Sequence, residues 1–398
     1  MSESSQEGSA TTPLPSRSVL DEVVELRRHF HRHPEVSFGE HETSRQLGER
    51  LKQLGLELKP CPTETGVVAL LDTGKPGKTV MLRADIDALP IHEESGVDFS
   101  SRTEGRMHAC GHDAHMAIMV GVARTLVDRI WDVRGRYLFV FQPAEEVVEG
   151  AKAMIAKGLL DDHHPDSVIG LHIASFLESG IVVTKPGLMW AGSDAYEITF
   201  SGPGGHGGMM GRRGNVLAAQ AFFLERLHTV VEGLEQDGVQ CHTTVGDVRS
   251  DGAWNIVPRG VLVKGSLRTF NATLREEALI RLNDLLRETD GEFEVRSQLD
   301  LVHGTVPLMN EPNVTRTVLE VGHSLIGDRA SILGRPLTVS DDFAEFLTRI
   351  PGCYFMLGAM PEGETPPAHH SPGFRIDEDA LPIGVKVLAG AASRLADG

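Results

Sequence analysis

At 398 residues the chain exceeds what one core usually serves, so two domains are expected. Its apolar and charged fractions are those of a globular protein, and a net charge of -18 argues against nucleic acid or an anionic membrane as partner, since both call for basic patches. No apolar run approaches the roughly 18 residues a membrane span needs, and four scattered cysteines make no disulfide framework.

Residues 1–17 lack a basic n-region and an apolar h-region and read as a disordered tail. A soluble, cytoplasmic enzyme is therefore expected. From Ser18 to about Gln53 the pattern is helical, broken at His33, Pro34 and Gly39. Its histidine cluster, HFHRHPE, reads as a solvated basic stretch. Val67 to Leu71 is a short strand, and Thr79 to Arg83 a second that runs on to Asp85 and Asp87. Carboxylates at the end of an apolar strand are a common way for an α/β sheet to present a site, although backbone-satisfied turn residues read the same way.

The stretch that organises the chain is MHACGHDAH, Met107 to His115. Cys110 and His112, two apart on an extended segment, would point to one side and could bind one metal or neighbouring metals. Gly111 lets the backbone pass close to an ion, and from His115 the pattern turns helical. A Cys-x-His pair alone is weak, because zinc sites need three or four ligands. After a buried strand, Arg136 to Phe141, Glu145 and Glu146 are expected to open a helix running to about Leu160; the helix dipole favours them there, but so would a metal at a strand-to-helix junction. Val168 to Ile173 is a further strand carrying His172.

From about Ser193 a strand, a helix from Asn215 and two strands suggest a small α+β insert, spanning 193–303. It carries His206 in a glycine-rich loop that lacks phosphate-loop spacing, Asn255, and Arg268, a natural carboxylate clamp. The last third holds a helix near Val314 to Ile326, a strand near Tyr354 to Leu357, and His369 and His370 in a Pro-rich loop before a C-terminal helix.

In this order, RRHFHRHPEVSFGEHETS, LRADIDALPI, MHACGHDAH, FVFQPAEE with GAKAMIAKGLL, GLHI, the glycine-flanked His206, NIVPRG with GSLRTF, SDDF and HHSPGFRIDEDAL resemble the dinuclear-metal amidohydrolases typified by hippurate hydrolase and the indole-acetyl-amino-acid hydrolases, relatives of aminoacylase and carboxypeptidase G. The resemblance covers nearly the whole chain after the tail. It implies an α/β metallopeptidase-like catalytic domain, residues 18–192 and 304–398, whose mixed sheet is flanked by helices, with 193–303 as an inserted α+β lid or dimerisation domain. It also implies that Cys110, His112, Glu146, His172 and His370 bind two divalent metals, with Glu145 as general base. His206 would stabilise the oxyanion, often across a dimer interface. Asn255 and Arg268 would hold the substrate, and Asp85 and Asp87 would support the ligands. Thiolate with imidazole suits Zn2+, Ni2+ or Co2+, while the family is also associated with Mn2+.

The implied activity is hydrolysis of N-acyl or N-aroyl amino acids, with N-acetyl-diaminopimelate, short peptides or N-carbamoyl amino acids as alternative substrates on the same scaffold. A non-catalytic metal-binding or ligand-binding homologue and a redox role for Cys110 are the readings from other classes. The chain departs from the family at Ala114, at Asp341 in SDDF, and over Gly207 to Arg213, a run that borders the substrate in the family.

Overall fold

A computed structural model describes residues 12–363, 365 and 368–398. Residues 1–11 of the expected tail, and Pro366 and Pro367 of the Pro-rich loop, lie outside the described residues. Within 12–17 the chain is anchored: Thr12 lies against Gly390, Pro13 is buried, and Ser16 caps the first helix. The chain divides into two units, residues 1–187, 310–333 and 345–398, and residues 188–309 with 334–344.

The first unit is built on an eight-stranded mixed sheet. Its strands include β1 (Glu57–Lys59), β2 (Val67–Asp72), β3 (Thr79–Asp85), β4 (Arg136–Gln142), β5 (Ser167–Glu178) and β6 (Val182–Thr184). The order is β1-β2-β4-β3-β5, then Gly352–Met360, β6 and Ala330–Ile332. β4, β3, β5 and Gly352–Met360 run parallel, and β2 and β6 are antiparallel to their neighbours in this core. Every residue of β3 is buried, as expected of a parallel strand covered on both faces. Helix α1 (Arg17–Arg32), α2 (His41–Gln53), α3 (His112–Asp128) and the C-terminal helix Leu381–Asp397 enclose one core with the sheet. α3 packs against α1 and the C-terminal helix and is buried nearly all round.

β3 pairs with β5 only from Val80 opposite Ser167 to Arg83 opposite Gly170. Beyond Gly170, β5 keeps its partner Gly352–Met360 on one side and leaves its other edge to side chains. That edge becomes part of the site.

The second unit is a four-stranded antiparallel sheet in the order His242–Ser250, Gly260–Thr269, Gly192–Ser201, Arg296–Thr305. Tyr196, Ile198, Phe200, Val261 and Val263 alternate onto one face and form a core with the helices Val216–Arg226 and Ala272–Phe293. Asn215 and Asn271 cap these helices by accepting backbone amides. The long helix and the strand Arg296–Thr305 extend the strand-helix-strand-strand pattern read from sequence. Residues 334–344, which sequence reading placed with the first domain, join this unit because Leu337 bonds to Met189 and Ala191 and Ser340 to Arg268.

Candidate metal centre

The residues expected as ligands emerge from four places in the first unit. Cys110 ends a loop. Gly111 follows in the left-handed region, at φ 91, with its α-carbon so close to Ile173 that an added Cβ would lie 3.1 Å from that side chain. His112 is therefore the first residue of α3, not part of an extended pair, and the helix starts three residues earlier than the apolar pattern indicated. His172 lies on β5 beyond the reach of β3, and His370 precedes the turn that leads to the C-terminal helix.

Glu145 and Glu146 also differ from the expected helix start. They occupy a turn, and the next helix, α4, begins at Gly150 (Gly150–Ala156). The cause is local backbone geometry: Ala144 and Val148 both have left-handed φ, 55 and 59, and Gly150 fits against the Pro143 carbonyl where no Cβ could. Asp87 Oδ1 accepts the Glu145 amide and Oδ2 the Glu146 amide, each at 3.0 Å, while the Ser37 hydroxyl donates to Oδ2.

The side chains converge. Cys110 Sγ is 3.3 Å from His370 Nε2 and 3.5 Å from His172 Nε2. Glu146 Oε2 is 3.4 Å from His370 Nε2, and its Oε1 is 3.8 Å from His112 Nε2. Glu145 Oε2 lies 3.9 Å from the same His112 nitrogen.

Tautomers follow from the partners. His112 Nδ1 faces the Asp87 carbonyl at 2.8 Å and His172 Nδ1 the Ile173 carbonyl at 2.7 Å. A carbonyl only accepts, so in both rings Nδ1 carries a proton and Nε2 is the nitrogen turned to the cluster, where a metal would take the place of a second proton. His112 Nε2 and Glu146 Oε1 are buried with no hydrogen-bond partner. Unsatisfied donor atoms beside a thiol, with carboxylates around them, fit a divalent cation.

The electrostatics agree. Burial opposes charge on His112, but Asp85, Asp87 and Glu146 outweigh it and raise its pKa to about 10. Burial, with Asp87 and Asp85 nearby, pushes Glu146 up to about 7 against the pull of His112. The pocket thus favours added positive charge. His172, where burial dominates, is held neutral, its pKa well below the usual value.

Asp85 points into the same region, 3.7 Å from His112 Nε2, but is engaged by Arg83 and by His115 Nδ1, both at 2.6 Å. His115 Nε2 accepts the Ile173 amide at 2.9 Å, which sets its proton on Nδ1. His369 repeats the arrangement one step along β5: its Nε2 accepts the Ser175 amide at 3.2 Å, and Nδ1 faces Cys110 Sγ at 3.7 Å. Sequence reading singled out neither role. The histidine pairs were visible, but their partners are backbone amides that no residue type announces.

The remaining expected residues lie in the second unit. His206 forms a short antiparallel pair with Ile256, is exposed, and accepts the Gly208 amide at Nδ1. Asn255 is its neighbour, its carbonyl accepting the Gly207 amide. Arg268 donates to Ser340. Asp341 is buried and accepts the Phe343 amide at 2.7 Å.

The family model described as Peptidase family M20/M25/M40 matches residues 81–394. The chain belongs to that family. It is 31% identical over 387 residues to an N-acetyl-L-cysteine deacetylase of Bacillus subtilis (strain 168), covering 97% of this chain and 91% of that one. It is 30% identical to the IAA-amino acid hydrolase ILR1-like 2 of Arabidopsis thaliana, covering 95% and 86%. Among solved structures, a dinuclear metal binding peptidase of family M20 from Bacillus subtilis superimposes with a TM-score of 0.79 at 26% identity, covering 96% and 99%. This M20 chain is thus a hydrolase of the amidohydrolase and peptidase group. Among its described residues no helix is long and apolar enough to cross a membrane.

Proposed function

We propose that the protein is a metal-dependent amidohydrolase that cleaves N-acyl or N-aroyl amino acids to a carboxylic acid and a free amino acid. The observation that carries this reading is Glu145. It is a carboxylate beside the thiol-imidazole-carboxylate cluster, next in sequence to Glu146 yet held through a different oxygen of Asp87.

Cys110, His112, Glu146, His172 and His370 would hold two divalent cations, Zn2+ or Mn2+ before Ni2+ or Co2+, which when bound lower the pKa of water and polarise a carbonyl. Glu145 takes the proton of the attacking water and returns it to the departing amine. His206 donates to the developing oxyanion, an interaction typically worth about 3 kcal/mol, and Asn255 and Arg268 bind the substrate's oxygens and carboxylate. Asp85 and Asp87 orient the ligands. We further assign a homodimer or higher homo-oligomer formed through the inserted domain and a reducing compartment such as the cytoplasm, consistent with four free cysteines among the described residues.

The test is release of free amino acid from hippurate, N-acetyl-methionine, indole-acetyl-alanine and N-acetyl-diaminopimelate by protein stripped with chelator and reloaded with one metal at a time. Metal-dependent turnover is expected, and the ranking identifies the acyl group. Glu145→Gln should lose turnover by a factor of at least about a hundred with metal content unchanged. An active Glu145→Gln enzyme would remove the assigned base.

A further inference from the structure

The stretch HPEVSFGEHETS near the start of the chain carries part of the family resemblance yet supplies none of the candidate ligands. Its Glu40 is fully buried. Glu40 stands at the N-cap of α2, but its side chain makes no capping hydrogen bond there. Both carboxylate oxygens are spent elsewhere: Oε1 accepts the Ala144 amide at 2.9 Å and Oε2 the Thr65 hydroxyl at 2.8 Å.

The next two amides, of Glu145 and Glu146, end on the two oxygens of Asp87. Three consecutive backbone N–H groups therefore terminate on two buried carboxylates. That grip coincides with the left-handed Ala144, at φ 55. For a residue with a Cβ this conformation is strained and persists only where its surroundings over-determine it.

We propose that Glu40 is a positioning residue for Glu145, holding the Ala144 amide so that, with Asp87 holding the amides of Glu145 and Glu146, the turn keeps the Glu145 carboxylate aimed at the cluster. The proposal rests on the reading of Glu145 as the base. It explains why a buried carboxylate from the N-terminal helical region is built against a turn more than a hundred residues later.

Two measurements on Glu40→Ala, Glu40→Asp and Glu40→Gln test it. The first is amide hydrogen exchange of peptides covering residues 143–150 in the metal-free full-length protein. The second is kcat and KM of the metal-loaded protein on the best substrate of the panel above. Glu40→Ala should exchange faster in this segment and lose about ten- to a hundredfold in kcat, with KM and metal content unchanged. Glu40→Gln keeps a carbonyl oxygen for the Ala144 amide and should match the wild type in both. Should Glu40→Ala fail to fold, Glu40→Asp, which withdraws the acceptor by one methylene, carries the same expectation. Unchanged exchange, or faster exchange with full kcat, would overturn the proposal. If the wild type turns over nothing, the hydrolase reading fails and the exchange result alone decides whether Glu40 holds the turn.

Discussion

His369 and His370 are chemically identical neighbours with different tasks. His370 turns Nε2 to Cys110 and Glu146, while His369 accepts the Ser175 amide and so must carry its proton on Nδ1, facing the sulfur. If Cys110 holds a metal as proposed, its sulfur is a thiolate that this hydrogen bond would brace and temper, and groups that support ligands in this way are typically worth ten- to a hundredfold in metal affinity. His369→Phe keeps a ring to pack against Phe374 but offers no donor. It should weaken metal binding by about that factor in competition with a chelator; unchanged affinity would reduce His369 to a packing role. Residue types alone do not separate these two histidines, nor His112 from His115. Order along the chain and the family resemblance picked out His112 and His370, whereas His115 and His369 acquire meaning only from the β5 edge.

Among elements, the buried strands were legible because continuous apolar runs bounded by turn residues leave little choice. The turn at Glu145 to Val148 was not, because two left-handed non-glycine residues overrule a pattern that otherwise favours helix. The strand Arg296–Thr305 was hidden by mixed polarity at a sheet edge, and the helix Ala272–Phe293 before it was passed over although Leu274, Ala278, Leu282 and Leu285 follow helical spacing behind the Asn271 cap. At the opposite edge, none of the nine residues of His242–Ser250 is buried, and Trp254 beyond it is 96% exposed. A long free edge invites pairing with another chain. Sedimentation equilibrium should therefore report a homodimer, and a monomer at every concentration would remove the assigned interface.

For the molecule as a whole, the N-terminal histidine cluster is not the solvated stretch its composition indicated. His31 is buried, with Nδ1 2.8 Å from Asp113 Oδ2 and Nε2 3.0 Å from Glu93 Oε1, and Arg27 also pairs with Asp113 at 2.8 Å. Two carboxylates require two donors, so the ring is an imidazolium. Burial works against that charge, but Asp113, through charge and hydrogen bond, and Glu93 outweigh it and raise the His31 pKa above 6.5. The folded state then binds a proton more tightly than the unfolded chain. Its contribution is complete below about pH 6.5 and is lost as pH rises through the raised value. The melting temperature of the wild type should therefore fall towards that of His31→Gln across this alkaline interval, in a chain whose net charge of -18 already opposes compaction. A constant difference between the two melting curves would dismiss the imidazolium.

The place where β3 leaves β5 has a further consequence. Ile173 and Ser175, two apart on β5, offer their amides to His115 and His369. Alternate residues of a strand aim their amides to the same side, so a slip of one position would present the other set. Both imidazoles would lose the donor that fixes their tautomer, and with it the proton aimed at Asp85 and at Cys110. Sheet alignment thus writes the protonation pattern of the candidate metal pocket, independently of any ion or substrate.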